Sequence, residues 1–254
     1  MPRDNSGCTA TSLVITPDAY LVFNTGDSRL TVAREACHFE TTDHSPDVPT
    51  EMARIEAAGG CIFFGRVNGV LAVTRAFGDF EFKDATKEAA DHVVTVLPDI
   101  TVLPRSPTDE FILLACDGIW GTLFTSQVLA FAREALASGL ALEHVTGALI
   151  ETCFRLDSRD NMTAMIVALP GIKQGSPAAA GDEVEFTSRM TSSLRSSSRP
   201  PYTAREMGTG AGAGWSNTEA RLYSLGTSTD TAACELAQLR ARVAALSEAF
   251  GQPL

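Results

Sequence analysis

Three aspartates stand where strands should begin or end, and they are the first residues to suggest chemistry. Asp117 follows the apolar run "FILLAC", residues 111–116, which reads as one buried strand. Asp160 sits just before "TAMIVAL", residues 163–169, a second strand. If these strands are antiparallel neighbours, the C-terminal end of one lies beside the N-terminal end of the other. Both carboxylates then converge at one edge of a sheet. Asp27, in "NTGDSRL", falls in a hairpin turn that can reach the same edge. Carboxylates gathered on partly buried ground repel one another and lose hydration, and a hard divalent cation offsets both costs. An oxygen-only ligand set points to Mg²⁺ or Mn²⁺ rather than zinc. Taken singly, each aspartate has a plainer role as a turn residue bonding its own backbone, and that role outweighs the other unless the three meet.

The elements that must position them alternate through residues 7–170. "CTATSLVIT" and "AYLVFNTG" read as strands joined at Pro17-Asp18, a hairpin. Gly26 then supplies a positive φ, and "SRLTVARE" is the next strand. "PTEMARIEAAGG" carries proline early and glycine at its end, the marks of a helix. "HVVTVLPDITVLP" predicts two short strands around Pro98. Helices follow at 125–138 and 142–155. Strands early and helices late predict an α+β fold with antiparallel sheets. Trp120 is expected to anchor the core, and Arg75 and Asp79 to make a structural ion pair or turn. Ser28 has no histidine base in a recognisable arrangement and is discounted as a nucleophile.

Beyond residue 170 the pattern stops. Residues 171–230 are rich in Ser, Gly, Arg and Pro and are expected to be a disordered linker. Residues 231–251 space Leu236, Leu239, Val243, Leu246 and Phe250 three and four apart, an amphipathic helix. The chain's acid excess, 31 against 20 for a net charge of −11, argues against nucleic acid as a partner. No run is long enough to span a membrane, and "MPRDNSGCTATS" has no signal-peptide core. The six cysteines (8, 37, 61, 116, 153 and 234) form no close pairs. That spacing fits reduced thiols and an intracellular location, cytoplasmic or nuclear.

"SGCTATSLVI", "NTGDSRL", "RIEAAGG…RVNGVLAVTRAFGDFEFK", "LLACDGIWGTL" and "SRDNMTAMIV" together resemble, in order, the motifs of the metal-dependent serine/threonine protein phosphatases of type 2C. The resemblance covers roughly residues 6–170. It implies an αββα architecture, a β-sandwich of two antiparallel sheets flanked by helices. It implies two Mg²⁺ or Mn²⁺ ions at one end, with Asp117 and Asp160 on the metal pair and Asp27 linked to a more weakly held ion. It implies phosphoprotein substrates, attacked by a metal-activated water. It also places Arg66, Asn68 and Gly69 in a flap beside the site, where holding the turn's shape outweighs substrate contact.

The family's earlier "RxxMED"-like and "DGHGG" segments find no match. Asp-Gly occurs only at 117–118, and none of the four histidines (38, 44, 92, 144) fits such a segment. The general-acid histidine and the phosphate-binding arginine of the family are therefore not assigned. Gly121 stands where that family usually has an aspartate. The expectation is a domain lacking its N-terminal strands and motifs, binding metal weakly and crippled or inactive alone. The alternative is a non-catalytic regulatory or interaction protein, engaging a partner through residues 231–251 or an open sheet edge.

Overall fold

A computed structural model describes residues 5–35, 37–179 and 181–197. The expected helix at 231–251 lies outside the described residues. In chain order the strands are β1 (Gly7–Cys8), β2 (Ala10–Ile15), β3 (Ala19–Thr25), β4 (Arg29–Arg34) and β5 (His38–Glu40), followed by helix α1 (Pro49–Ala57). Then come β6 (Ile62–Phe63), β7 (Arg66–Val67), β8 (Phe77–Gly78), β9 (Asp99–Pro104) and β10 (Asp109–Ala115). Helices α2 (Asp117–Trp120), α3 (Thr125–Ala137) and α4 (Leu142–Arg155) precede β11 (Ala164–Ala168), and α5 (Asp182–Arg195) closes the described chain.

Two antiparallel sheets make the sandwich, one ordered β2-β3-β9 and the other β11-β10-β4-β5. The run "FILLA" is apolar at every position because β10 is covered on both faces. Ile112 turns inward with Tyr20, Val22, Leu30, Val32 and Leu103 to fill the space between the sheets. Phe111, Leu113 and Ala115 turn outward against α3, α4 and α5 through Phe131, Leu136, Leu149 and Phe186. Helix α1 belongs to a separate cluster, where Ile55 packs with Val67, Ala76, Phe82 and Val94. Its punctuation is as expected, with proline in the first turn and Gly59 past the end at φ +88°.

Two expectations need correction. Residues 171–230 are not uniformly irregular, since 182–195 form α5. Phe186, Met190 and Leu194 recur every four residues and seat the helix on the core that α3 and α4 already make. A ready apolar surface needs only such a stripe, whatever the composition around it. The second concerns "HVVTVLPDITVLP", of which only the part after Pro98 is a strand. Thr95 bridges Arg75 in parallel, and its hydroxyl accepts the Leu97 N–H and donates to the Ala89 carbonyl. A side chain thus replaces the ladder there.

Among the described residues, β2 and β11 end their sheets, and Val14, Ile15 and Met165 lie exposed on them. No helix of the described residues is long and apolar enough to cross a membrane.

Candidate active site

The strand register decides where the three aspartates go. Ala115 of β10 pairs with Arg29 of β4 on one side and Ala164 of β11 on the other. Antiparallel β10 runs toward this end while β4 and β11 run away from it. Asp27, two residues before Arg29, Asp117, two past Ala115, and Asp160, four before Ala164, therefore occupy one rim of one sheet. Asp27 is buried, Asp117 half-buried and Asp160 exposed. An Oδ of Asp160 accepts the next residue's N–H at 2.8 Å, the turn bond expected of it alone.

Backbone packing joins Asp117 to Asp160. Cys116 N–H donates to the Thr163 carbonyl at 3.2 Å, and the Cys116 thiol contacts the Asn161 carbonyl at 3.2 Å. Ser158 Oγ donates to the Gly118 carbonyl at 2.9 Å. A Cβ on Gly118 would stand 2.3 Å from the Asn161 carbonyl oxygen, so only glycine lets the two loops approach this closely. Trp120 follows in α2 as the core anchor, its indole N–H donating to the Ala115 carbonyl at 2.7 Å.

The Asp27 side is held by charge. Arg29 forks onto Asp43, Nε to Oδ1 and Nη2 to Oδ2, each at 3.0 Å. Its guanidinium also donates to Thr125 at 2.6 Å and lies 5.2 Å from the Trp120 ring centroid. Burial alone would lower the Arg29 pKa, yet Asp43, Glu40 and Asp27 around it raise it. Deeper in, Glu51 in the first turn of α1 accepts from Arg75, Arg54 and Thr74. Burial pushes its carboxyl up, but these bonds, Arg75's first, overcome that and bring it down to about 2. Arg75 also donates to Asp99 at 2.8 Å. Asp99 is held below the usual carboxylate range, chiefly by His44 and with help from Arg75.

The remaining candidates serve the shape of their own turns. Asn68, at φ +51°, accepts the Cys61 N–H on its side-chain oxygen at 3.0 Å, and Gly69 follows at φ +74°. Arg66 donates to the Val70 carbonyl at 2.8 Å. Ser28 hydrogen-bonds Thr9 at 2.9 Å. Gly26 takes φ +107°, as its turn requires. Asp79, at φ +47°, leads a single 3₁₀ turn. Asp43, His44, Glu51 and Asp99 also belong here, though the sequence gives them no site role. Its local signals are only the adjacent polar pair Asp43-His44 and an acid in the first turn of α1, since their partners lie far away in the chain.

Residues 2–162 match the family model described as protein phosphatase 2C. The chain belongs to that family. Protein phosphatase 2C homolog 3 of Schizosaccharomyces pombe is 43% identical over 173 residues, covering 65% of this chain and 42% of the relative. Protein phosphatase 1A of Homo sapiens is 40% identical over 186 residues, covering 72% of this chain and 49% of its own. Among solved structures, a phosphatase from a pathogenic strain of Toxoplasma gondii aligns with TM-score 0.55 at 33% identity, covering 60% of this chain and 49% of that one. Serine-threonine phosphatase 2C from Toxoplasma gondii aligns with TM-score 0.53 at 26% identity, covering 63% and 57%. The α+β sandwich is thus the phosphatase 2C fold. The chain spans about half the length of the curated relatives it matches.

For a divalent ion, the rim's donors fit in kind, being carboxylates at one sheet end. In number they fall short: among the described residues, no three or more His, Cys, Asp or Glu side chains gather closely enough to hold one.

Proposed function

We propose that this rim is part of a phosphatase 2C centre that hydrolyses phosphoserine and phosphothreonine in intracellular proteins. The observation that carries the reading is the register of β4, β10 and β11, which sets Asp27, Asp117 and Asp160 at one sheet end in a chain of this family. Asp117 and Asp160 would hold a Mg²⁺ or Mn²⁺ pair, and Asp27 a weaker ion. Once bound, such ions supply an activated water and neutralise charge on the phosphoryl oxygens. The chain's own contribution is to aim the carboxylates. The Gly118–Asn161 contact fixes the separation of the loops bearing Asp117 and Asp160. Arg66, Asn68 and Gly69 shape the hairpin proposed to border the substrate. With few donors at the rim, the chain should bind its metals weakly and turn over slowly.

The test is phosphopeptide hydrolysis by the full chain with and without Mn²⁺, beside a Mn²⁺ titration followed by the signal of the free ion. Weak Mn²⁺ binding is expected, with any turnover metal-dependent and both lost in Asp117→Ala. Turnover without metal, Mn²⁺ binding that Asp117→Ala leaves intact, or no Mn²⁺ binding at millimolar concentrations would each reject the reading.

A further inference from the structure

The structure assigns to Asp43 and His44 a role as positioning residues that brace the Gly26–Asp27 turn from both sides. The inference deepens the proposed function and rests on Asp27 as the residue to be aimed.

His44, 2% exposed, engages both backbone polar groups of Gly26. Its Nδ1 accepts the Gly26 N–H at 3.0 Å, and its own backbone N–H donates to the Gly26 carbonyl at 3.0 Å. Because Nδ1 is an acceptor, the ring proton sits on Nε2, which stands 3.1 Å from Asp99 Oδ2. Asp99 is tied to Arg75 and Arg75 to Glu51. Thr74 closes the circuit: its hydroxyl donates to Glu51 at 2.7 Å and its N–H to the His44 carbonyl at 3.0 Å. Beyond the imidazole, a charge network exposed at Asp99 and buried at Glu51 runs back to α1.

Asp43 works the opposite flank. It holds Arg29, two residues past Asp27, by the paired contact already described. Asn24 adds a third tie, its amide donating to the carbonyls of both Gly26 and Thr42. Gly26 itself has no room to rearrange with a side chain, since a Cβ there would meet Thr9 at 2.3 Å. Residues on both sides of Asp27 are thus fixed by one short segment, 42–44, and the carboxylate between them loses the backbone freedom a surface turn would have. Groups that hydrogen-bond a ligating side chain directly typically change metal affinity about 10–100-fold when removed, and a brace on the backbone beside it acts in the same direction.

The test uses the full chain and three variants. His44→Ala removes the grip on the Gly26 N–H. His44→Asn keeps an acceptor near the Nδ1 position while giving up the Asp99 contact. Asp43→Asn breaks the paired bond to Arg29. Amide exchange at Gly26 and Asp27, corrected for global stability by urea unfolding, reads the brace without metal. Broadening of the same amides by Mn²⁺ reads what the brace does for binding. In His44→Ala, Gly26 exchange should speed up about tenfold or more, and the Mn²⁺ needed for half-broadening should rise about 10–100-fold. His44→Asn should restore most of both, and Asp43→Asn should fall between. Unchanged exchange in His44→Ala, or His44→Asn failing as fully as His44→Ala, overturns the inference. Asp43→Asn behaving as wild type removes Asp43 from the brace. Wild-type protein showing protected amides but no broadening near Asp27 keeps the brace and rejects Asp27 as a ligand, which separates the two failures.

Discussion

The two sides of the acidic rim are held by different forces. Around Asp27 the turn hangs on a charge network, buried at Glu51 and open to solvent at Asp99, drawn from α1, from β9 and from the segments near residues 43 and 75. Between Asp117 and Asp160 the loops meet by close packing, with Gly118 against the Asn161 backbone and neutral hydrogen bonds alongside. The first side should therefore respond to charge and acid, and the second to volume. A rim built this way can lose one flank without losing the other.

The sharpest way to break that contrast is Glu51→Leu. It removes the acceptor shared by Arg54, Arg75 and Thr74 and strands buried charge, so urea unfolding should show a loss of about 3 kcal/mol or more. A smaller loss would mean that the network is solvated and the Asp27 flank is not held by charge.

Acid provides the next test. Glu51 is held at about 2 against an ordinary 4.5, so its stabilisation is fully present above the higher value and fades as pH falls through the lower. Wild type should lose up to about 3 kcal/mol across that window relative to Glu51→Gln, which carries no titrating group there. Parallel acid limbs for the two proteins would contradict the assignment.

On the packed flank, Gly118→Ala should cost about 1–3 kcal/mol through the forced shift of the Asn161 loop, with no dependence on pH. Under the proposed function it should also weaken Mn²⁺ binding, because the two loops carry Asp117 and Asp160. Trp120→Phe comes next. Losing the indole bond to Ala115 should cost about 1 kcal/mol in urea unfolding. The exposed Arg155–Glu151 pair on α4 is the control: Glu151→Gln should change stability by only about 0.3 kcal/mol.

Much of the fold was legible in the sequence because its signals are local. The Pro17-Asp18 hairpin, the punctuation of α1, the continuous apolar run of β10 and the pattern of α3 and α4 each fit within a window of a dozen residues or so. The aspartates of the site were legible in type, since acids at strand ends stand out against apolar neighbours. Their convergence was not, because it depends on which strands pair. Helix α5 was hidden for a related reason: its three apolar contacts have value only against a surface built by α3 and α4. His44 was hidden most of all. It looks like any surface histidine until Gly26, Asp99 and Arg75 arrive around it from elsewhere in the chain.

By itself, then, the sequence determined most of the segments that become strands and helices, α5 and the stretch before Pro98 apart, the acidic chemistry of the rim and membership of the phosphatase 2C family, all carried by side-chain type and short-range spacing. The tertiary structure alone decided that Ala115 pairs with both Arg29 and Ala164, and with that the sharing of one rim by Asp27, Asp117 and Asp160. It alone decided that segment 42–44 closes over the Asp27 turn. Such contacts join residues tens of positions apart, and the entropy of closing those loops is offset only when the sandwich core forms as a whole.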